Sequence, residues 1–198
     1  MSNSPRKSAQ IRGKRNAHKA PAMSTASAAV RRLAALADPV SATFAQRYFK
    51  TGKGQYGEGD RFRGGLNAAG MRQFARECEG MSLGETLKLL NSPYHEDRLI
   101  ALLIMVRAYT RGDETTRRRI FDAYLANTKY INNWDLVDVS APYIVGQHLE
   151  NGTRTLLAKL ARSDSLWERR IAMVATQHFI RRGDPKDALR IAAMLLQD

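Results

Sequence analysis

From residue 27 onward, apolar residues recur every three to four positions, and each run closes on a residue that caps or breaks a helix. Nowhere does an alternation of period two persist, so the sequence asks for no strand. The spacing predicts helices over 27–37, 40–50, 67–78, 82–91, 93–111, 113–126, 133–149, 153–162, 165–182 and 184–197. Gly80, Ser92-Pro93, Gly112-Asp113, Asn151-Gly152, Ser163-Asp164 and Gly183-Asp184-Pro185 stand at the joints. Pro39 after Asp38 suits a first helical turn, and Pro142 should kink or restart the helix it interrupts. One long irregular stretch, residues 51–65, carries six glycines.

Many short helices on short joints make either a bundle or a solenoid of helical pairs. A faint internal echo favours the solenoid. Arg98-Leu99-Ile100-Ala101 returns as Arg169-Arg170-Ile171-Ala172, and Asp135-Leu136-Val137-Asp138 falls nearly midway between them. In that register Asp138 stands where the other two copies hold an alanine. A residue that breaks a local rule is where function is worth seeking.

Charge divides the chain unevenly. Residues 1–32 hold eight basic residues and no acid, whereas residues 33–198 hold 24 basic and 19 acidic ones, a net of only +5 of the total +13. Residues 1–26 therefore read as a disordered basic tail, with residues 27–198 as the folded domain. Such a tail attracts phosphate polymers without sequence preference; a plain solubility tail is the simpler alternative. The lone cysteine, Cys78, excludes an internal disulfide and a multi-cysteine metal site, and the longest apolar run, Leu99–Val106, is too short to cross a bilayer. With no apolar leader at the start, a reduced cytoplasmic compartment is the default.

The most informative segment runs from Thr128 to Tyr143. Trp134 and Asp138 lie four apart, on one face of a helix that Asn133 can cap, and Asp135 suits its positive end. An indole face beside a carboxylate favours cations. The plainer alternative is a packed tryptophan and a solvated or salt-bridged aspartate, and spacing does not say which of Asp135 and Asp138 faces a groove. In Leu166-Trp-Glu-Arg-Arg170 the two arginines diverge by about 100°, so one can pair internally while the other reaches a phosphate. The glycine-rich stretch 52–60 lacks the ending and the preceding strand of a nucleotide-binding loop. The four histidines are scattered, so neither metal nor cofactor is called for.

Four segments resemble the DNA alkylation repair proteins of the AlkD type: Tyr48–Phe62, Ser92–Ile104, Asn127–Asp138 and Leu166–Ala172. The likeness runs from about residue 40 to the end. It implies a right-handed solenoid of antiparallel HEAT-like (ARM-like) helical repeats. The implied activity is a DNA glycosylase that needs no metal or cofactor and removes cationic alkylated purines, of the 3-methyladenine and 7-methylguanine class, from duplex DNA. It makes Trp134 and Asp138 the catalytic pair and the Arg169-Arg170 pair a contact to the DNA backbone. Relatives of this type generally continue with further helices, so the resemblance also implies a shortened chain whose last helix exposes Leu189, Ile191, Ala192, Met194, Leu195 and Leu196. The expected state is a monomer, with association through that helix as an alternative. Two other readings stand beside the enzyme: a non-catalytic helical module that holds DNA or RNA by charge, and an inactive interaction scaffold.

Overall fold

The computed structural model describes residues 23–198. Residues 1–22 of the expected tail lie outside them. The tail's last part is not loose: Met23 and Ala26 are buried, and the Met23 amide donates to the Glu77 carbonyl at 3.0 Å.

The described residues are all-α. They form α1 (Ala26–Ala35), α2 (Pro39–Tyr48), α3 (Ala68–Glu77), α4 (Leu83–Leu90), α5 (His95–Arg111), α6 (Glu114–Ala126), α7 (Trp134–Asp138), α8 (Thr155–Ala161), α9 (Leu166–Ala175), α10 (Gln177–Ile180) and α11 (Lys186–Met194). A 3-10 turn over Thr128–Tyr130 precedes α7, and a π-helical turn over Pro142–Gly146 follows it. The one β-type pairing among the described residues is an isolated bridge between Arg61 and Tyr94. Side-chain caps start the helices where short polar residues stand at the joints: Asp38 accepts from Val40 and Ser41 N–H, Ser82 from Glu85, Asp113 from Thr116 and Ser165 from Glu168.

Two predicted helices are broken. The stretch 133–149 splits after Asp138. The Ser140 hydroxyl donates back to the Leu136 carbonyl at 2.6 Å, and Pro142 has no N–H with which to continue the ladder. The stretch 165–182 splits at Thr176, whose hydroxyl bonds the Met173 carbonyl at 2.6 Å. The break after Asp138 leaves α7 as little more than a single turn, too short to hold itself by its own hydrogen bonds.

Neighbouring helices pair as α4 with α5, α5 with α6 and α8 with α9, while α3 with α5, α5 with α7, α7 with α9 and α9 with α11 pack one element further on. A continuous core runs from Leu33 through Leu89, Ile100, Tyr124, Leu136 and Leu157 to Phe179 and Ile191. The apolar stripe expected to lie open on the last helix is only partly so. Ile191 is fully buried and Met194 and Leu195 pack on the core, because α11 seats against α8 and α9; Leu189 and Leu196 stay exposed. At the other end α2 buries none of its residues and presents Val40, Phe44 and Tyr48 to solvent at four-residue spacing.

The glycine-rich stretch is threaded rather than slack. Gly64 and Gly65 have φ of +71° and +85°, and a Cβ on either would stand 2.3 Å from the Asp38 carbonyl oxygen or 1.8 Å from that of Leu36. Only glycine passes so close to the α1–α2 joint in that conformation. Just before that passage the chain runs along the start of α5, where Arg61 bridges Tyr94 and the Arg63 and Gly64 amides donate to Glu96.

Candidate functional site

Helix α7 is held from behind by four buried groups. Asn133, wholly buried, accepts the Trp134 amide at 2.9 Å with its side-chain oxygen and donates its amide to Asp60 at 3.2 Å. It caps one residue earlier than a standard cap because Asp60 claims its other end. Asp135 accepts its own following amide, from Leu136, at 2.8 Å and faces His95 Nε2 at 2.8 Å. His95 Nδ1 faces Asp60 at 3.2 Å, and Arg98 donates to the second oxygen of Asp60 at 2.6 Å. The sequence expectation of an Asp135 serving the helix end is thus only half of its role; it also ties α7 to α5.

Burial works against a charge on His95, but the bonds to Asp135 and Asp60 outweigh it and hold the imidazole pKa above its ordinary value. Burial likewise opposes the charge on Asp60, and His95, Arg98 and Asn133 together keep that carboxyl below the usual carboxylate range. Of these partners only Asn133 is close to α7 in sequence; Asp60, His95 and Arg98 are remote.

The front of α7 is open. Asp138, 37% exposed, meets Arg170 of α9 in a two-pronged pair, Nε to Oδ1 at 3.0 Å and Nη2 to Oδ2 at 2.8 Å. The echo register places Ala101 and Ala172 at the equivalent points, and both are fully buried. Asp138 escapes burial because its helix ends there. Of the two candidate carboxylates, then, Asp135 is the inward one and Asp138 the outward one.

Trp134 is partly buried and rests on aromatic neighbours. Its ring stacks on Phe49 at 5.4 Å and 22° and meets Tyr48 edge-on at 6.0 Å. It also forms the wall between two cavities. One, of about 440 Å³, is lined by Tyr56, Trp134, Trp167 and Arg170 among others; Tyr56 and Trp167 meet edge-on there at 6.0 Å. The second, of about 680 Å³, lies under α2 among Phe44, Phe62, Met71 and Leu99, with His95 and Asp135 also in its wall.

The predicted arginine pair divides. Arg170 holds Asp138. Arg169 turns away, bonds the Ser163 and Asp164 carbonyls at 3.1 and 3.0 Å and pairs with Asp198 at 2.5 Å. Its internal partners are therefore the helix joint and Asp198.

Sequence reasoning missed Asp60, His95, Tyr56 and Trp167 as site residues. A usable signal existed for His95. His95-Glu-Asp-Arg98 places four charged or titratable residues at the head of a helix whose following residues are core, so their burial, and hence their pairing, was to be expected. Among the described residues no cluster of three or more metal-binding side chains occurs, and no helix is long and apolar enough to cross a membrane.

No curated protein sequence matches this chain. A family model described as DNA alkylation repair enzyme matches residues 29–198, a span that takes in the glycine-rich stretch, α5, α7 and α9 together. All the elements that build and brace this carboxylate-and-tryptophan face lie inside the match, and the chain belongs to the DNA alkylation repair enzyme family.

Proposed function

We propose that the protein is a DNA glycosylase that hydrolyses the N-glycosidic bond of cationic alkylated purines, of the 3-methyladenine and 7-methylguanine class, in duplex DNA. One observation carries the reading: Asp138 is a solvent-facing carboxylate with both oxygens oriented by Arg170, one helical turn from a tryptophan fixed on an aromatic base.

Alkylation at a ring nitrogen makes the base a cationic leaving group. The bond from C1′ to the base nitrogen breaks with its electron pair going to the base, which becomes neutral, and positive character passes to the sugar. Asp138 stabilises that charge and orients the attacking water. The new bond is C1′–O, and the water's proton passes to Asp138 or to solvent. The face of Trp134 packs on the sugar and favours the cation. Arg170 spends Nε and Nη2 on Asp138, and we assign its Nη1 to a backbone phosphate. Arg169, engaged elsewhere, we assign to holding the α8–α9 joint. Packing of each helix on the next and on the one beyond supports the further reading that the helices are HEAT-like repeats in a solenoid whose concave side holds the duplex.

The test is base release from methylated duplex DNA, measured by chromatography of free 3-methyladenine and 7-methylguanine. Release by the wild type that is lost in Asp138→Asn supports the reading. No release from folded wild-type protein sinks it.

A further inference from the structure

The buried cluster behind α7 is more than packing, because its charges balance only in one protonation state. The ring faces Asp60 and Asp135, and the other charged groups on the segments packed there are Arg61 and Arg63 from the glycine-rich stretch and Glu96, Asp97 and Arg98 from α5. Arg63 is paired with Asp97 through two bonds of 2.9 Å, and Glu96 is satisfied by the Arg63 and Gly64 amides at 2.9 Å each. Arg61 gives its backbone carbonyl to the His95 amide at 2.8 Å, while its guanidinium lies out over Tyr94. That leaves Asp60, Asp135, Arg98 and His95 as one closed set. Two carboxylates and one guanidinium are neutralised only by an imidazolium.

Hydrogen-bond geometry says the same. Both ring nitrogens face carboxylate oxygens, at 3.2 and 2.8 Å, with the His95 side chain 3% exposed. A neutral imidazole has one N–H and would turn a lone pair toward the other carboxylate; an imidazolium donates to both. The ring is further packed against Phe62 at 4.7 Å and Phe49 at 4.8 Å, and Phe49 is the ring on which Trp134 stacks.

We propose that His95 is a positioning residue which, as an imidazolium donating at once to Asp60 and Asp135, straps the glycine-rich stretch and the one-turn helix α7 to α5 and so sets the place of Trp134. The consequence for catalysis rests on the glycosylase reading; the strap itself does not. Losing the ring proton removes one of the two bonds and turns a lone pair toward a carboxylate, which loosens the strap at α7 or at the Asp60 stretch that holds Asn133, the cap of α7. A displacement of about 1 Å in such a site can cost on the order of a hundredfold in rate.

The experiment uses the full chain with ¹⁵N-labelled histidine, the His95 signals being identified by their loss in His95→Gln. Both ring nitrogens of His95 are expected to carry hydrogen at pH 7, and to lose one only above the ordinary histidine range. In Trp167→Phe, where Trp134 is the one tryptophan and is excited selectively over the tyrosines, its fluorescence should change with the same midpoint, and that change should vanish in Trp167→Phe/His95→Gln. Asp135→Asn is the second variant. It should lower the His95 midpoint and give Trp134, at neutral pH, the emission the parent shows at high pH. Wild-type base release should fall along the same alkaline limb, and His95→Gln should show a flat profile there at a rate roughly ten- to a hundredfold lower. A His95 ring with a single hydrogen at pH 7, or a Trp134 emission indifferent to its titration, overturns the proposal. Titration and emission that move together in a protein that releases no base uphold the strap and remove only the glycosylase reading.

Discussion

Asp135 and Asp138 sit three residues apart on one turn of helix and have opposite surroundings. Asp135 points inward to a buried histidine and, through it, to Asp60 and Arg98. Asp138 points outward and is held by one arginine, itself 38% exposed. Residue type and helix are shared, so the difference lies in which end each occupies and in what each carboxylate must be compensated by. A buried charge needs a complete set of partners and becomes structure; an exposed one is stable with a single partner and keeps an oxygen edge for chemistry. The two faces therefore should fail in different measurements.

The largest effect should come from the inner face. Asp60→Ala leaves Arg98 and His95 buried without their shared counter-charge, and removing one partner of a buried set costs about 3–5 kcal/mol. Urea unfolding followed by circular dichroism should show that loss. A cost below about 1 kcal/mol, the range of surface pairs, would mean that the inner cluster is no more critical than the outer pair and would erase the contrast.

Asp138→Asn comes next and reverses the pattern. Its stability should change by less than about 1 kcal/mol, as for other exposed ion pairs. Its base release should fall on the order of 10²–10³-fold, the scale of losing one electrostatic stabiliser of a transition state. A variant equally damaged in stability and in activity would place Asp138 in the scaffold with Asp135.

What was legible beforehand follows the same division. The helices were readable because caps and periodicity are local, and so was the interruption at Pro142, which follows from a missing N–H. Trp134 and Asp138 were paired by a four-residue spacing. The partners were not readable: Asp60 reaches Asn133 across 73 positions and His95 reaches Asp135 across 40, and no local pattern encodes such distances. The early end of α7 before Pro142 and the break at Thr176 were missed because hydroxyls that bond back to their own helix look, in sequence, like ordinary helix residues. The exposed stripe expected on the last helix failed for the related reason that amphipathicity marks an apolar face without naming what it packs against.

Stability against pH gives a subtler separation. His95 has a raised pKa in the fold, so the stability its bonds supply is complete below about pH 6.5, the unfolded value, and is lost as pH rises through the folded value. One proton sets the steepest slope at about 1.4 kcal/mol per pH unit. Urea midpoints should accordingly decline on the alkaline side in the wild type and in Asp138→Asn alike, and not in His95→Gln. A decline that survives in His95→Gln assigns the slope to other groups.

The smallest effect sharpens the outer face alone. Arg170→Lys keeps the positive charge beside Asp138 and gives up the planar fork that orients both carboxylate oxygens. If Arg170 acted only as a counter-charge, lysine would serve and base release would match the wild type. If its work is to aim the carboxylate, release should drop about three- to tenfold, roughly 0.6–1.4 kcal/mol in barrier, with unfolding unchanged within about 0.5 kcal/mol. The comparison with Arg170→Ala then separates the two contributions: the step from arginine to lysine measures the fork, toward Asp138 and the phosphate together, and the step from lysine to alanine measures charge. A lysine variant as poor as alanine would mean that the fork, and not charge, is the whole contribution of Arg170.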